Sequence, residues 1–151
     1  MSITNFFEAE SLIIKSCRDL FSPNMIYKHS EVGDLDNDDF TKFTIDSDKV
    51  GLMVMQAGFK VNPMVGKRSF KQQKIKFFWR LAIVCPSDLY DTIGGLKKWE
   101  VMQRLMGTKL SPNYTELVLI DDERDFNEPE FMRDFSYQPI MFQCEGLLNG
   151  E

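Results

Sequence analysis

Residues 74–85 read KIKFFWRLAIVC. The odd positions Ile75, Phe77, Trp79, Leu81, Ile83 and Cys85 are all apolar, while Lys74, Lys76 and Arg80 fall on even positions. Successive side chains of a strand point to opposite faces, so a period of two predicts a core strand with one basic face. Phe78 shares the even face with the cations. Basic residues interleaved with aromatics are also what a single-stranded nucleic acid would stack against. The stretch alone leaves both readings open, and the rest of the chain has to decide between them.

Upstream, VGLMVMQAGFKV (residues 50–61) is an apolar run of strand length, and its first half reads as buried on both faces. Asn62, Pro63 and Gly66 mark a turn between the two strands. Further upstream, Phe6, Ala9, Ile13, Cys17 and Leu20 recur at helical steps. They predict a core-packing helix over residues 5–21, with Asn5 and Glu8 at capping-box spacing and Ser22-Pro23-Asn24 as its stop. Downstream, Asp91 or Thr92 caps a second helix in this reading. That helix ends near Met106, with Leu96, Trp99, Met102 and Met106 on one side, Leu96 and Trp99 expected in the core, and Gly107 as its stop. After the turn at Ser111-Pro112-Asn113 come a strand over residues 116–120, an acidic loop over 121–134 and a final strand over about 137–147. Pro139 lacks a backbone donor, which predicts an edge position or a strand beginning. Helix, two long strands, helix and two strands, with short connections within each strand pair, predict an α+β fold. It is a mainly antiparallel sheet with both helices on one face, within a single domain of 151 residues.

Composition narrows the function classes. Hydrophobic content of 43% and charged content of 27% are those of an ordinary folded domain. A net charge of −5 argues against general affinity for DNA, RNA or an anionic membrane, while leaving a local basic patch open. No apolar run approaches the length of a membrane span, and MSITNFFEAE has no basic region leading into an apolar core. No membrane partner and no secretory signal are expected. Cys17, Cys85 and Cys144 are odd in number, widely spaced and set in apolar patterns, which predicts buried reduced thiols.

Chemistry-bearing motifs are sparse. Asp34, Asp36 and Asp38 alternate as at the start of a calcium loop, but Asp39 stands where the turn glycine belongs and Ile45 where the bidentate glutamate belongs. The acidic segment over residues 31–48 therefore reads as a solvated loop. His29 is the only histidine and lies outside any nucleophile motif. Gly94-Gly95 lacks the further glycines of a dinucleotide loop and the lysine spacing of a phosphate loop. The expectation is no catalysis, no metal and no cofactor.

Charge distribution carries more. Lys60, Lys67, Arg68, Lys71, Lys74, Lys76 and Arg80 fall within residues 60–80 without a single carboxylate between them. Residues 121–134 hold seven acids against Arg124 and Arg133. These regions either neutralise each other within one chain or meet across a head-to-tail contact between subunits. The candidate interface residues are Lys67, Arg68, Lys71, Lys74 and Lys76 on the basic side. Asp121, Asp122, Glu123, Asp125 and Glu128 are their acidic counterparts.

The order and character of these segments resemble the tail terminator proteins of tailed bacteriophages, of the Mu-like and lambda-like kinds, and those of Mu-like contractile tails especially. The resemblance covers most of the chain. It rests on LIIKSCRDLF, VGLMVMQAGF, KIKFFWRLAIVC, GGLKKWEVMQRLMG, TELVLIDDERDF and YQPIMFQCEGLL, which are patterns of apolar strands and helices and not chemical signatures. It implies a structural virion protein with no enzymatic activity. Such a protein forms a hexameric ring on the head-proximal end of the tail tube, stops tube polymerisation and offers the surface for head–tail joining. The implied partners are further copies of the chain, the tail tube protein, the head–tail connector or neck protein, and the tail sheath, with DNA passing nonspecifically through the lumen. The implied location is the virion tail, reached from the host cytoplasm during assembly. Two alternatives remain: another tail, neck or baseplate component, or a small nucleic-acid-binding module using Lys74, Lys76, Phe78 and Arg80.

Overall fold

The computed structural model of the chain describes residues 8–22, 25–28, 50–61, 72–121, 130–132 and 135–149. Its centre is the strand anticipated around Trp79. Here it is β3 (Gln72–Pro86), paired antiparallel along its whole length with β6 (Phe135–Asn149). On its other side β3 pairs antiparallel with β2 (Gly51–Val61), and β2 pairs in parallel with the short β1 (Ile26–Lys28). The other two short strands, β4 (Val118–Ile120) and β5 (Glu130–Met132), both pair with β6. Among the described residues this makes one mixed, mostly antiparallel sheet of six strands, and with its two helices the fold is α+β.

Register fixes which side chains share a face. Val54–Leu81–Ile140 and Trp79–Phe142 stand side by side, as do Phe77 and Cys144, and every one of these residues is buried. Helix α1 (Glu8–Cys17) covers this odd face with Ala9, Ile13 and Cys17, then tightens into a short 3-10 turn, Arg18–Leu20. The expected cap at Asn5 and the contact of Phe6 lie outside the described residues. Helix α2 (Gly95–Leu105) packs beside α1, and Arg104 near its end donates to the Ser16 carbonyl at 2.8 Å and to both carboxylate oxygens of Asp19. The Tyr114 ring, stacked on Phe77 with centroids 5.1 Å apart, continues the cover toward the far end of the strands.

Helix α2 corrects the sequence reading. Its buried residues are Val101 and Leu105, whereas Leu96 and Trp99, expected in the core, are 57% and 61% exposed. The helical period was right and the facing reversed. Neither Asp91 nor Thr92 caps the helix; a 3-10 turn (Ser87–Leu89) and a π turn (Tyr90–Gly94) lead into it and set its phase. Gly94 then lies so close to the sheet that a Cβ there would sit 2.8 Å from Cys85 Sγ. The stripe running through this glycine is the one that can approach closely, so Val101 and Leu105 go inward. Gly107, with φ of 82°, ends the helix as anticipated.

Two further expectations change. The loop over residues 121–134 contains β5, and the acidic segment over 31–48 lies outside the described residues. Pro139 sits in a central strand and not at an edge or strand start. Glu145 sends both its backbone groups sideways to Thr115, and alternation along β6 turns Pro139 to that same side. There β4 pairs with residues 141–143 and β5 with 135–137, so proline falls opposite the gap between them. The missing donor costs no ladder bond.

The cysteines are all free and buried. Burial pushes the Cys17 and Cys144 thiols from 9.0 up to about 12. Between those two values the folded chain binds protons that the unfolded chain has lost, so folding weakens there as pH rises. This contribution should be intact below pH 9.0 and fade toward 12, and denaturant midpoints across that window should fall less steeply for Cys144→Ala than for the parent. A second prediction concerns Gly146, where a Cβ would meet Tyr114 Cε1 at 2.7 Å and Phe77 Cε2 at 3.0 Å. Gly146→Ala should lower the unfolding free energy by about 1–3 kcal/mol through overpacking, read from a urea midpoint that shifts at constant slope.

Candidate interaction surfaces

The strands outrun the helices. An eleven-residue helix such as α2 is about 16 Å long, whereas a fifteen-residue strand such as β3 is about 50 Å long. The sheet therefore projects beyond the helix layer at the end where β2 leaves and β3 enters. On the helix side of this projection Phe59, Val61 and Leu148 are 50%, 49% and 60% exposed. On the other side Lys60, Lys74 and Leu147 are exposed and Lys76 is half-buried.

A bulge shapes this end. The β2–β3 register shifts between Gln56 and Gly58, whose φ is 112°. Gln56 Nε2 donates to the Gly58 carbonyl at 2.7 Å, and Gln56 Oε1 accepts from the Gly58 amide at 3.0 Å. The buried Glu10 carboxylate of α1 accepts from the Gln56 amide at 2.8 Å. The Gln56 amide and both backbone groups of Gly58 are thus already engaged, which discourages strand addition at this point of β2.

The basic face foreseen from the sequence exists. Lys74, Lys76, Phe78 and Arg80 lie on the face of β3 opposite the buried one, and the register sets Lys60 beside Lys76. The Lys60 ammonium lies 5.7 Å from the Phe78 ring centroid, and the Arg80 guanidinium lies 6.0 Å from that of Tyr137. Burial raises the Tyr137 hydroxyl pKa, and Arg80 pulls it back. Glu145 of β6 stands opposite Lys76, a carboxylate neighbour that sequence reasoning missed because it depends on register.

Of the candidate interface residues, Lys67, Arg68, Lys71, Asp122, Glu123, Asp125 and Glu128 lie outside the described residues. Lys74 and Lys76 share a face, but Asp121 is elsewhere: it follows β4, whose last residue pairs with Met141, while Lys76 pairs with Glu145. Asp121 instead lines a groove of about 440 Å³ with Lys98, Met102, Leu119, Ile120 and Pro139. Burial lowers the Lys98 pKa there.

At the opposite end of the sheet α2 presents Leu96 and Trp99 outward, and Phe131 meets the Tyr90 ring edge-on at 5.1 Å. Asp88 and Asp91, in the turns that lead into α2, are exposed, as is Glu130, which the register sets beside Tyr137 on the face of the sheet away from α2. Among the described residues no group of three His, Cys, Asp or Glu is placed to hold a metal ion, and no helix is long and apolar enough to cross a membrane. His29 and the Asp34–Asp36–Asp38 alternation lie outside the described residues. No protein-family model matches the chain, and no curated protein matches it.

The two tryptophans provide a direct check on this geometry, since Trp79 is fully buried and Trp99 is mostly exposed. Acrylamide should quench one of two fluorescence components, and Trp99→Phe should remove the quenchable one. Equal protection of both indoles in the isolated chain would contradict the outward facing of α2.

Proposed function

We propose that the chain is a ring-forming structural subunit of a bacteriophage tail, acting as a tail terminator on the head-proximal end of the tube. One observation carries the reading: besides Met106 and Val118, a single subunit exposes unlike apolar groups at separate places on one sheet, Phe59, Val61, Leu147 and Leu148 at one end and Leu96, Trp99 and Phe131 on and beside α2. A two-fold dimer reuses one patch on both partners. A closed ring built head to tail needs two unlike patches, one at each end of the subunit. The resemblance of the segment order to tail terminators supplies the biological setting. In that setting the subunit halts tube growth and presents the surface to which the neck and head attach. Binding and shape perform this work, and no residue has to be catalytic. Phage lacking the protein should produce tails of abnormal length that fail to join heads. Tails of normal length that join heads normally would overturn the assignment.

The second reading is a nucleic-acid module, and the placement of Phe78 with Lys74, Lys76 and Arg80 on one face favours it. Its signature is salt-dependent affinity for single-stranded DNA that Phe78→Ala with Arg80→Ala abolishes. Under the terminator reading the same face has at most transient, nonspecific contact with DNA, and those substitutions should leave tail length unchanged.

A further inference from the structure

We infer that the groove between α2 and β4 binds an apolar residue through a free α-carboxylate, the chemistry shared by the C-terminus of a peptide and a free amino acid. The groove holds about 440 Å³, within the roughly 300–1,000 Å³ typical of small-ligand sites. Lys98 carries the argument. It follows Gly94 by four residues and precedes Val101 by three, which sets it on the stripe of α2 that faces the sheet. An ammonium taken out of water destabilises the fold unless a partner offsets the loss. Burial already lowers the Lys98 pKa from 10.5. Among the described residues no carboxylate pairs with it: Glu100 binds Lys97 at 3.1 Å, and Asp121 lines the same groove without forming an ion pair. The fold thus holds an uncompensated cation beside apolar walls, and a ligand anion completes it.

Pro139 is a second, independent observation. The alternation that turns it toward the gap between β4 and β5 aims its carbonyl there as well, and among the described residues no donor meets that oxygen. Pro139 lines the groove with Lys98, so a cation and an unused acceptor face one space. A carboxylate with an N–H on the adjoining carbon matches both: the ammonium donates to the carboxylate, and the proline carbonyl accepts from the N–H. The side chain on that carbon lies against Met102, Leu119 and Ile140. Asp121, exposed at the groove, opposes further negative charge, which disfavours phosphates and dicarboxylates. None of the exposed apolar residues assigned to subunit contact lines the groove, so the inference stands apart from the ring reading.

Calorimetric titration of the full chain with N-acetyl-leucine and with leucine tests the inference, and the tighter of the two names the source, peptide terminus or free amino acid. At least one should saturate a single site below about 10 mM. Converting the carboxylate of that compound to an amide should weaken binding about tenfold or more. Isocaproate keeps the carboxylate and side chain but lacks the nitrogen, and should bind about threefold to tenfold more weakly. Lys98→Met keeps an unbranched side chain without the charge. It should lose the binding and, freed of a desolvated cation, unfold at higher urea than the parent. No saturation by either probe, undiminished binding of the amide or of isocaproate, or a Lys98→Met chain that still binds overturns the inference. So does a Lys98→Met chain that unfolds at lower urea, because the lysine then serves the fold.

Discussion

The unbroken antiparallel register between β3 and β6 is the constraint on which the rest of the molecule depends. It pairs Gln72 with Asn149 at one end and Pro86 with Phe135 at the other, without a shift. Because side chains alternate along both strands, that single register places Trp79, Leu81 and Ile83 under the helices and Lys74, Lys76 and Arg80 on the reverse. A slip by one residue would turn the buried aromatic row outward and the cations inward. The cost of burying unpaired charge makes that alternative inaccessible. The same two strands carry the sheet beyond the helices, so core stability and the projecting surface come from one feature.

How far this was legible follows from what each pattern depends on. The alternation through Trp79 is local, and it located the central strand and its basic face directly. The α1 stripe of Ala9, Ile13 and Cys17 is likewise local. Helix α2 carries two apolar stripes, and choosing between them needs to know where Gly94 touches the sheet, a tertiary contact that periodicity cannot reveal. The same holds for Pro139, which is tolerated because β4 and β5 stop short on either side of it. Strands of three residues, such as β1 and β5, carry too few positions to show a period. The projecting surface was recoverable in principle, because a long strand beside a short helix must overhang it.

The proposed function places recognition between subunits at the two ends of the sheet. That differs from the first expectation, which paired basic residues around Lys67–Lys76 with acids over residues 121–128. Asp121 lies on the groove beside Lys98. Asp88 and Asp91 are exposed in the turns that precede α2, and Glu130 is exposed on β5. A ring assembled head to tail can stay weak in solution and become stable on a tube, where the template raises the effective concentration of neighbouring subunits.

Covalent capture tests the head-to-tail claim most directly. Cysteines at Val61→Cys and Leu96→Cys in one chain place a thiol on each proposed surface, and the buried native thiols keep the background silent. Mild oxidation should yield a ladder of cross-linked chains that ends at a closed ring, with either single variant giving no ladder. Products that stop at a dimer, or a double variant that remains uncross-linked while the chain is assembled, would contradict it.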